Sequence, residues 1–295
     1  HAEGVMLLKG AGLETAAEEW RACLHFAAEE GQQEVAKAIM AVGGEELVRI
    51  TDGESKTCLH MAASKGHTKF AAAVLAVGGG ALAKMQDKDG WTCLHLAAYS
   101  GYLDFAEAVL AVGGTDLVKI QSKDGWTCLH LALQREHKEL SELFILVGGE
   151  DLVKIQDKDG KTCLHYAAYR GRKDVADAFL AVGGAELVKI QDKDGKTCLH
   201  LAFVIGGLGV NWNQYKDFAE AVVAVGGEDL VKIKDKEGKS CLEWAEEKGR
   251  TDLRDMIERV LARTAAARAG HAPLRRGNSG RSGLLSVGGS ATFSG

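Results

Sequence analysis

Between residues 92 and 120 the apolar positions fall into two sets with helical spacing. Leu94, Ala97 and Ala98 line one side of a short first helix, and Phe105, Ala106, Val109, Leu110 and Val112 recur along a longer second one. Residues three and four apart share a helix face, so each set defines a buried stripe. Thr92 stands where an N-cap belongs, with an oxygen able to accept an orphan amide hydrogen. Gly101 stops the first helix. Asp87-Lys88-Asp89-Gly90 ahead of the cap spells a tight turn, because glycine supplies the positive φ such a turn needs. Gly113-Gly114 closes the second helix, and Leu117-Val118-Lys119-Ile120 reads as extended chain leading into the next turn. The predicted unit is turn, helix, loop, helix, extended arm.

This unit recurs. Thr57-Cys58-Leu59-His60 returns at Thr92, Thr127, Thr162 and Thr197, always 35 residues on, with weakened copies at Ala22-Cys23-Leu24-His25 and Ser240-Cys241-Leu242-Glu243. Small residues recur with it, as at Ala62, Ala63, Ala97, Ala98, Ala167 and Ala168, and they let paired helices approach closely. A period of this length marks a stacked solenoid whose units bury their faces against neighbours. Units are expected to begin near residues 19, 52, 87, 122, 157, 192 and 235, which gives about seven helix-turn-helix units over 19–262. Residues 1–18 form a lead-in, and 263–295 a basic Gly/Ser/Arg-rich tail. The end units act as caps. In the last, Leu253, Met256, Ile257, Val260 and Leu261 have the spacing to seal the core, while Glu246, Glu247, Arg250, Asp252 and Arg254 stay in water.

The pattern Asp-x-x-Gly-x-Thr-x-Leu-His-x-Ala-Ala-x-x-Gly, followed by a second apolar helix and a glycine, resembles the ankyrin repeat. That family repeats every 33 residues and carries Pro after the Thr; here the period is 35 and Cys takes the Pro position. The resemblance covers residues 20–261. It implies an all-α repeat solenoid with projecting β-hairpin arms, which the two extra residues, placed after Gly113 and its counterparts, would lengthen. It also implies a protein-binding module without catalysis, in some cases one part of a larger protein or complex.

Charge is unevenly placed. The net −5 includes five arginines and no acid after Ala262, which leaves about −10 on the residues before it. A net-acidic array repels a phosphate backbone over long range, so no nucleic-acid partner is expected. The tail, with Pro273, reads as disordered or ordered only by a partner. No apolar run of 18 residues occurs, so no transmembrane helix is expected. The first ten residues lack a starting Met and a signal-like apolar segment of adequate length, so the chain reads as processed or excised, with any targeting peptide removed. Seven unpaired thiols fit a reducing intracellular compartment, though buried thiols survive elsewhere too and the location stays open.

The chemical signals belong to the framework. All seven cysteines share one repeat position, and stacked helices about 8–10 Å apart hold equivalent thiols beyond disulfide reach. Six histidines lie two residues after a cysteine; two ligands per unit fall short of the four a closed zinc site wants. Such a histidine is suited to brace the Thr cap and the preceding turn. The Asp-Lys-Asp-Gly turns lack the first and twelfth ligands of a calcium loop, and the Gly-Gly pairs follow helices rather than cradle phosphate. No catalytic grouping, metal or cofactor is assigned.

Recognition is expected where copies differ. The position after the turn glycine is Trp91 and Trp126, then Lys161, Lys196 and Lys239; after Leu-His-x-Ala-Ala come Tyr99, then Gln134-Arg135, then Tyr169-Arg170. The resemblance puts these on the concave side, and aromatics beside arginines are hot-spot chemistry. Partner binding is therefore assigned to Trp91, Tyr99, Trp126, Gln134, Arg135, Lys161, Tyr169, Arg170 and Lys196. Glu136 replaces the glycine that should end its helix, so that loop is expected to be altered. An eight-residue insertion at Gly206–Tyr215 adds Trp212 and Tyr215 as contacts, the insertion either folding back or entering a partner. The leading function is a noncatalytic scaffold binding a protein through its concave groove. Two alternatives stand beside it. One is a structural subunit of a large assembly anchored by the insertion and tail; the other is a regulatory fragment of an enzyme whose catalytic domain lies elsewhere.

Overall fold

A computed structural model describes residues 13–206, 212–247, 249 and 251–270. Among the described residues seven helix pairs follow one another. They are α1 (Leu13–Glu29) with α2 (Gln33–Val48), α3 (Cys58–Lys65) with α4 (Thr68–Ala83), and α5 (Cys93–Ser100) with α6 (Leu103–Gly113). Then come α7 (Cys128–Gln134) with α8 (Lys138–Val153), α9 (Cys163–Arg170) with α10 (Lys173–Val188), α11 (Cys198–Gly206) with α12 (Trp212–Val231), and α13 (Cys241–Glu247) with α14 (Thr251–Gly270). First helices stack on first helices and second on second, so each unit touches chiefly its neighbours. One phenylalanine in the second helix of each of the five inner units anchors the layer: Phe70, Phe105, Phe144, Phe179 and Phe218 are all fully buried.

The short first helices hold because both ends are fixed. Thr57, Thr92, Thr127 and Thr162 are N-caps in extended conformation, each completing a capping box with the histidine three residues on. Histidine thus fills the place usually taken by Glu or Gln. Gly66, Gly101 and Gly171 close the helices in the left-handed region. The first unit lacks a threonine at 22 and a turn before it, and its helix runs back to Leu13. At the other end Leu253, Met256, Ile257 and Val260 are buried, as their spacing predicts, and α14 continues to Gly270, beyond the boundary expected at 262.

The projecting β-hairpin arms do not form. Among the described residues there is no strand, and the sole β pairing is an isolated bridge between Lys234 and Ser240. The supposed arm is helical: Thr115–Lys119 is a 3-10 turn, and in five other units the second helix bends at one glycine and continues, as at Gly149 (φ 58°) and Gly184 (φ 56°). The Gly-Gly pair divides the work. The second glycine takes the positive φ that redirects the chain; the first lets the following leucine fold back, since a Cβ on Gly148 would come within 2.5 Å of Leu152. The payoff is burial of Leu117 and Val118, Leu152 and Val153, Leu187 and Val188. An extended arm would leave that Leu-Val pair in water, at about 1.5–3 kcal/mol per side chain.

Candidate functional site

From the second unit onward the joints are held along the turns by hydrogen bonds. In the turn, Asp87 Oδ1 accepts the backbone N–H groups of Asp89 (2.9 Å) and Trp91 (2.8 Å), and Asp157, Asp192 and Asp235 repeat this. Ser122 takes the aspartate's place once. The turn tips then bond across units: Lys88 N–H donates to the Glu54 carbonyl, Lys123 to Asp89, Lys158 to Asp124, Lys193 to Asp159 and Lys236 to Asp194. A second seam comes from glutamine. The amide of Gln86 donates to Gly90 O (2.7 Å) and to Gln121 O of the next unit (3.0 Å), and Gln121, Gln156 and Gln191 do the same in turn. These four glutamines recur at the 35-residue period but entered no sequence-based assignment.

The histidines add a third link. Thr92 N–H donates to His95 Nδ1 (3.1 Å), so that nitrogen carries the lone pair and Nε2 carries the proton. Nε2–H then donates to Trp126 O of the following unit (3.1 Å); His60, His165 and His200 reach Trp91 O, Lys196 O and Lys239 O in the same way. The brace thus reaches the following turn as well as the cap. Burial holds His95 and His130 at a pKa of about 4, well below the ordinary imidazole. The thiols play a quieter part. Cys58, Cys93, Cys128, Cys198 and Cys241 donate to the carbonyl ten residues back, a bond that proline at this position could not make. Burial pushes the Cys58, Cys93, Cys198 and Cys241 thiols up to about 12. All seven cysteines are free and six are buried, Cys23 being exposed. Among the described residues no group of three or more His, Cys, Asp or Glu side chains is placed to hold a metal ion.

The predicted contact residues form two groups. Trp91 and Trp126 lie half-buried, each stacked on the histidine of its own unit at 6.3 and 6.2 Å between ring centres. Trp91 meets Tyr99 at 5.7 Å, and the Arg135 guanidinium sits 3.7 Å from the Tyr99 ring centre, a cation–π contact. Trp126 meets Tyr166 at 5.4 Å. Tyr166 was missed; the position after the repeated histidine varies (Met61, Leu96, Leu131, Tyr166, Leu201, Trp244), and that variation was its signal. The second group, Gln134, Lys161, Tyr169, Arg170 and Tyr215, lines a cavity of about 650 Å³ walled by the fourth, fifth and sixth units. Lys196 lies apart from both groups, 5.7 Å from the Trp244 ring centre.

The insertion is used partly within the array. Tyr215 is only 7% exposed and its hydroxyl donates to Tyr169 O at 3.1 Å. Val204 and Ile205 belong to α11, and Trp212 opens α12. Residues 207–211, which include Leu208, fall outside the described residues, as do the Trp212 side chain and everything after Gly270.

The chain matches the family described as "Ankyrin repeats (3 copies)" over residues 24–119, 109–189 and 129–212. These overlapping matches together run from 24 to 212, well over half of the 295 residues. The chain belongs to the ankyrin-repeat family. No curated protein matches it. In this ankyrin array the stacked capping boxes and turn seams are framework, and the side chains the repeat does not fix include Trp91, Trp126, Tyr99 and Arg135 in one cluster and the walls of the cavity in the other. No helix among the described residues is long and apolar enough to cross a membrane.

Proposed function

We propose that this ankyrin array is a noncatalytic protein-interaction scaffold whose partner docks on the groove from Trp91 to Arg170. The observation that carries the reading is the cluster of Trp91, Tyr99 and Arg135, three large side chains from two adjacent units in which Tyr99 contacts both others, at positions where other units carry different residues. Ring and guanidinium are ordered before any partner arrives, so little rotamer freedom remains to be lost on binding. The array is of an atypical kind, with a 35-residue period and Cys where the family pattern has Pro.

The test uses residues the array already tolerates. Trp91→Lys and Trp126→Lys install the side chain found at Lys161, Lys196 and Lys239; Arg135→Ala removes the guanidinium. Capture of the partner should weaken by more than about a hundredfold in the triple variant, since each lost anchor costs on the order of 1–2 kcal/mol. Leu146→Ala, on the outer face where Leu146 is 83% exposed, should leave capture intact. Equal capture by the triple variant and the parent chain would reject the groove.

A further inference from the structure

Four joints of the array are plugged by a ring or its neighbour seated on a glycine. A Cβ on Gly31 would come within 2.6 Å of the His67 ring, one on Gly66 within 2.5 Å of the Tyr102 ring, and one on Gly101 within 2.6 Å of the His137 ring. One on Gly171 would meet Gln214 at 3.0 Å and Tyr215 at 3.3 Å. Three of these side chains also donate to the carbonyl two residues before the glycine: His67 to Glu29 O (2.8 Å), His137 to Tyr99 O (3.3 Å) and Tyr215 to Tyr169 O (3.1 Å). The joint between the fourth and fifth units breaks the series. Glu136 replaces the glycine yet keeps its left-handed backbone (φ 63°), and the plug position holds Arg172, whose guanidinium turns to Asp174 (2.9 Å, both nitrogens). The 650 Å³ cavity opens at this joint, walled by Glu136, Arg172, Gln134, Tyr166 and Tyr169. It is the size of a ligand pocket.

On the turn side of this joint His130 Nε2 faces Lys161 O without the short hydrogen bond that its counterparts make to the next turn. The turn seam survives here, through Lys158 N–H to Asp124 O and Gln121 to Gln156 O, so the units are closed at the turns and apart at the loops. Arg170 of the fifth unit forms an exposed ion pair with Glu136 of the fourth at 2.7 Å, and both line the cavity.

We infer that this cavity receives a tyrosine side chain from the partner protein, which completes the joint as Tyr102 and Tyr215 complete theirs. Its phenol lies between Leu133, Ile145 and Ala178, with the Gln134 carbonyl as the counterpart of those of Glu29, Tyr99 and Tyr169. The inference rests on the scaffold reading and adds an anchor outside the tryptophan cluster.

The test is a titration of the full chain, isotope-labelled for NMR, with p-cresol and separately with the acetylated amide of Gly-Ser-Tyr-Ser-Gly. Both should give saturable shifts, at about millimolar affinity for so small a ring, confined to residues 133–145, 161–178 and 214–215. The Glu136→Gly/Arg172→Tyr variant rebuilds the Gly66–Tyr102 pairing and should weaken both about tenfold or more, with its helical circular dichroism intact. No saturable shift in the parent chain, or equal affinity in the plugged variant, overturns the inference; binding of p-cresol without the peptide assigns the cavity to a free phenol and overturns it too. Trp91→Lys/Arg135→Ala, at residues that do not line the cavity, should keep p-cresol binding, so a failed groove and a failed cavity give different results.

Discussion

Acid should unzip this array before its carboxylates are protonated. An unfolded imidazole takes up a proton near pH 6.5, whereas folded His95 and His130 do so only near 4, chiefly because burial disfavours the cation. Between those values the unfolded chain holds more protons, so stability is full above pH 6.5 and falls as the pH drops towards 4. At pH 5.0 each of the two costs about 2 kcal/mol, about 4 together. His60, His165 and His200 shift in the same direction for the same reason and add to the loss. Geometry explains why the proton is refused: Nδ1 already receives the Thr N–H, and protonation would set two donors against each other. Urea unfolding followed by helical circular dichroism at pH 7.5, 6.0 and 5.0 reads the effect. The His95→Gln/His130→Gln variant keeps a residue type that completes a capping box but does not titrate there. Its midpoint should start lower at pH 7.5 and fall much less steeply. A parent midpoint that is flat from 7.5 to 5.0, or a variant with the parent's slope, would refute the reasoning.

Gln156→Ala removes hydrogen bonds to Gly160 O (2.6 Å) and Gln191 O (3.0 Å) and should lower stability by about 1–2 kcal/mol, read from the urea midpoint. Gly125→Ala meets both a φ of 80° and a Cβ contact of 2.7 Å with Lys158 N. It should cost more than about 2 kcal/mol on the same assay and loosen the joint between the fourth and fifth units. A thiol-reactive dye should modify one cysteine per native chain, Cys23, and the other six only after unfolding; mass spectrometry of the labelled peptides checks which.

The framework was readable because its signals are local. A threonine cap, a glycine stop and helical spacing each act within a few residues, and Thr92, Gly101 and Phe105 sit where that logic puts them. Arm conformation was not readable. Leu117-Val118 suits a strand as well as a helical turn, and the choice is made by Gly114 redirecting the chain so that both side chains reach the core. The glutamine seam was periodic in plain sight, yet a glutamine beside a turn is as easily solvated as bonded; only stacking puts Gln86 within reach of Gln121 O. At the cavity, Glu136 in place of glycine was visible. That His67, Tyr102 and His137 form a series which Arg172 breaks depends on rings meeting glycines 36 residues earlier, a relation no single repeat displays.

The turn seam also decides how the molecule yields under tension. Backbone, glutamine and histidine bonds tie the turn edge at most joints, while the opposite edge is held by rings resting on glycines. Such an object bends like a bound book, with a stiff spine and pages free to fan. With no ring at the fourth joint, a pull on the two ends should fan the pages there first, and a partner that fills the gap would set the curvature of the whole array.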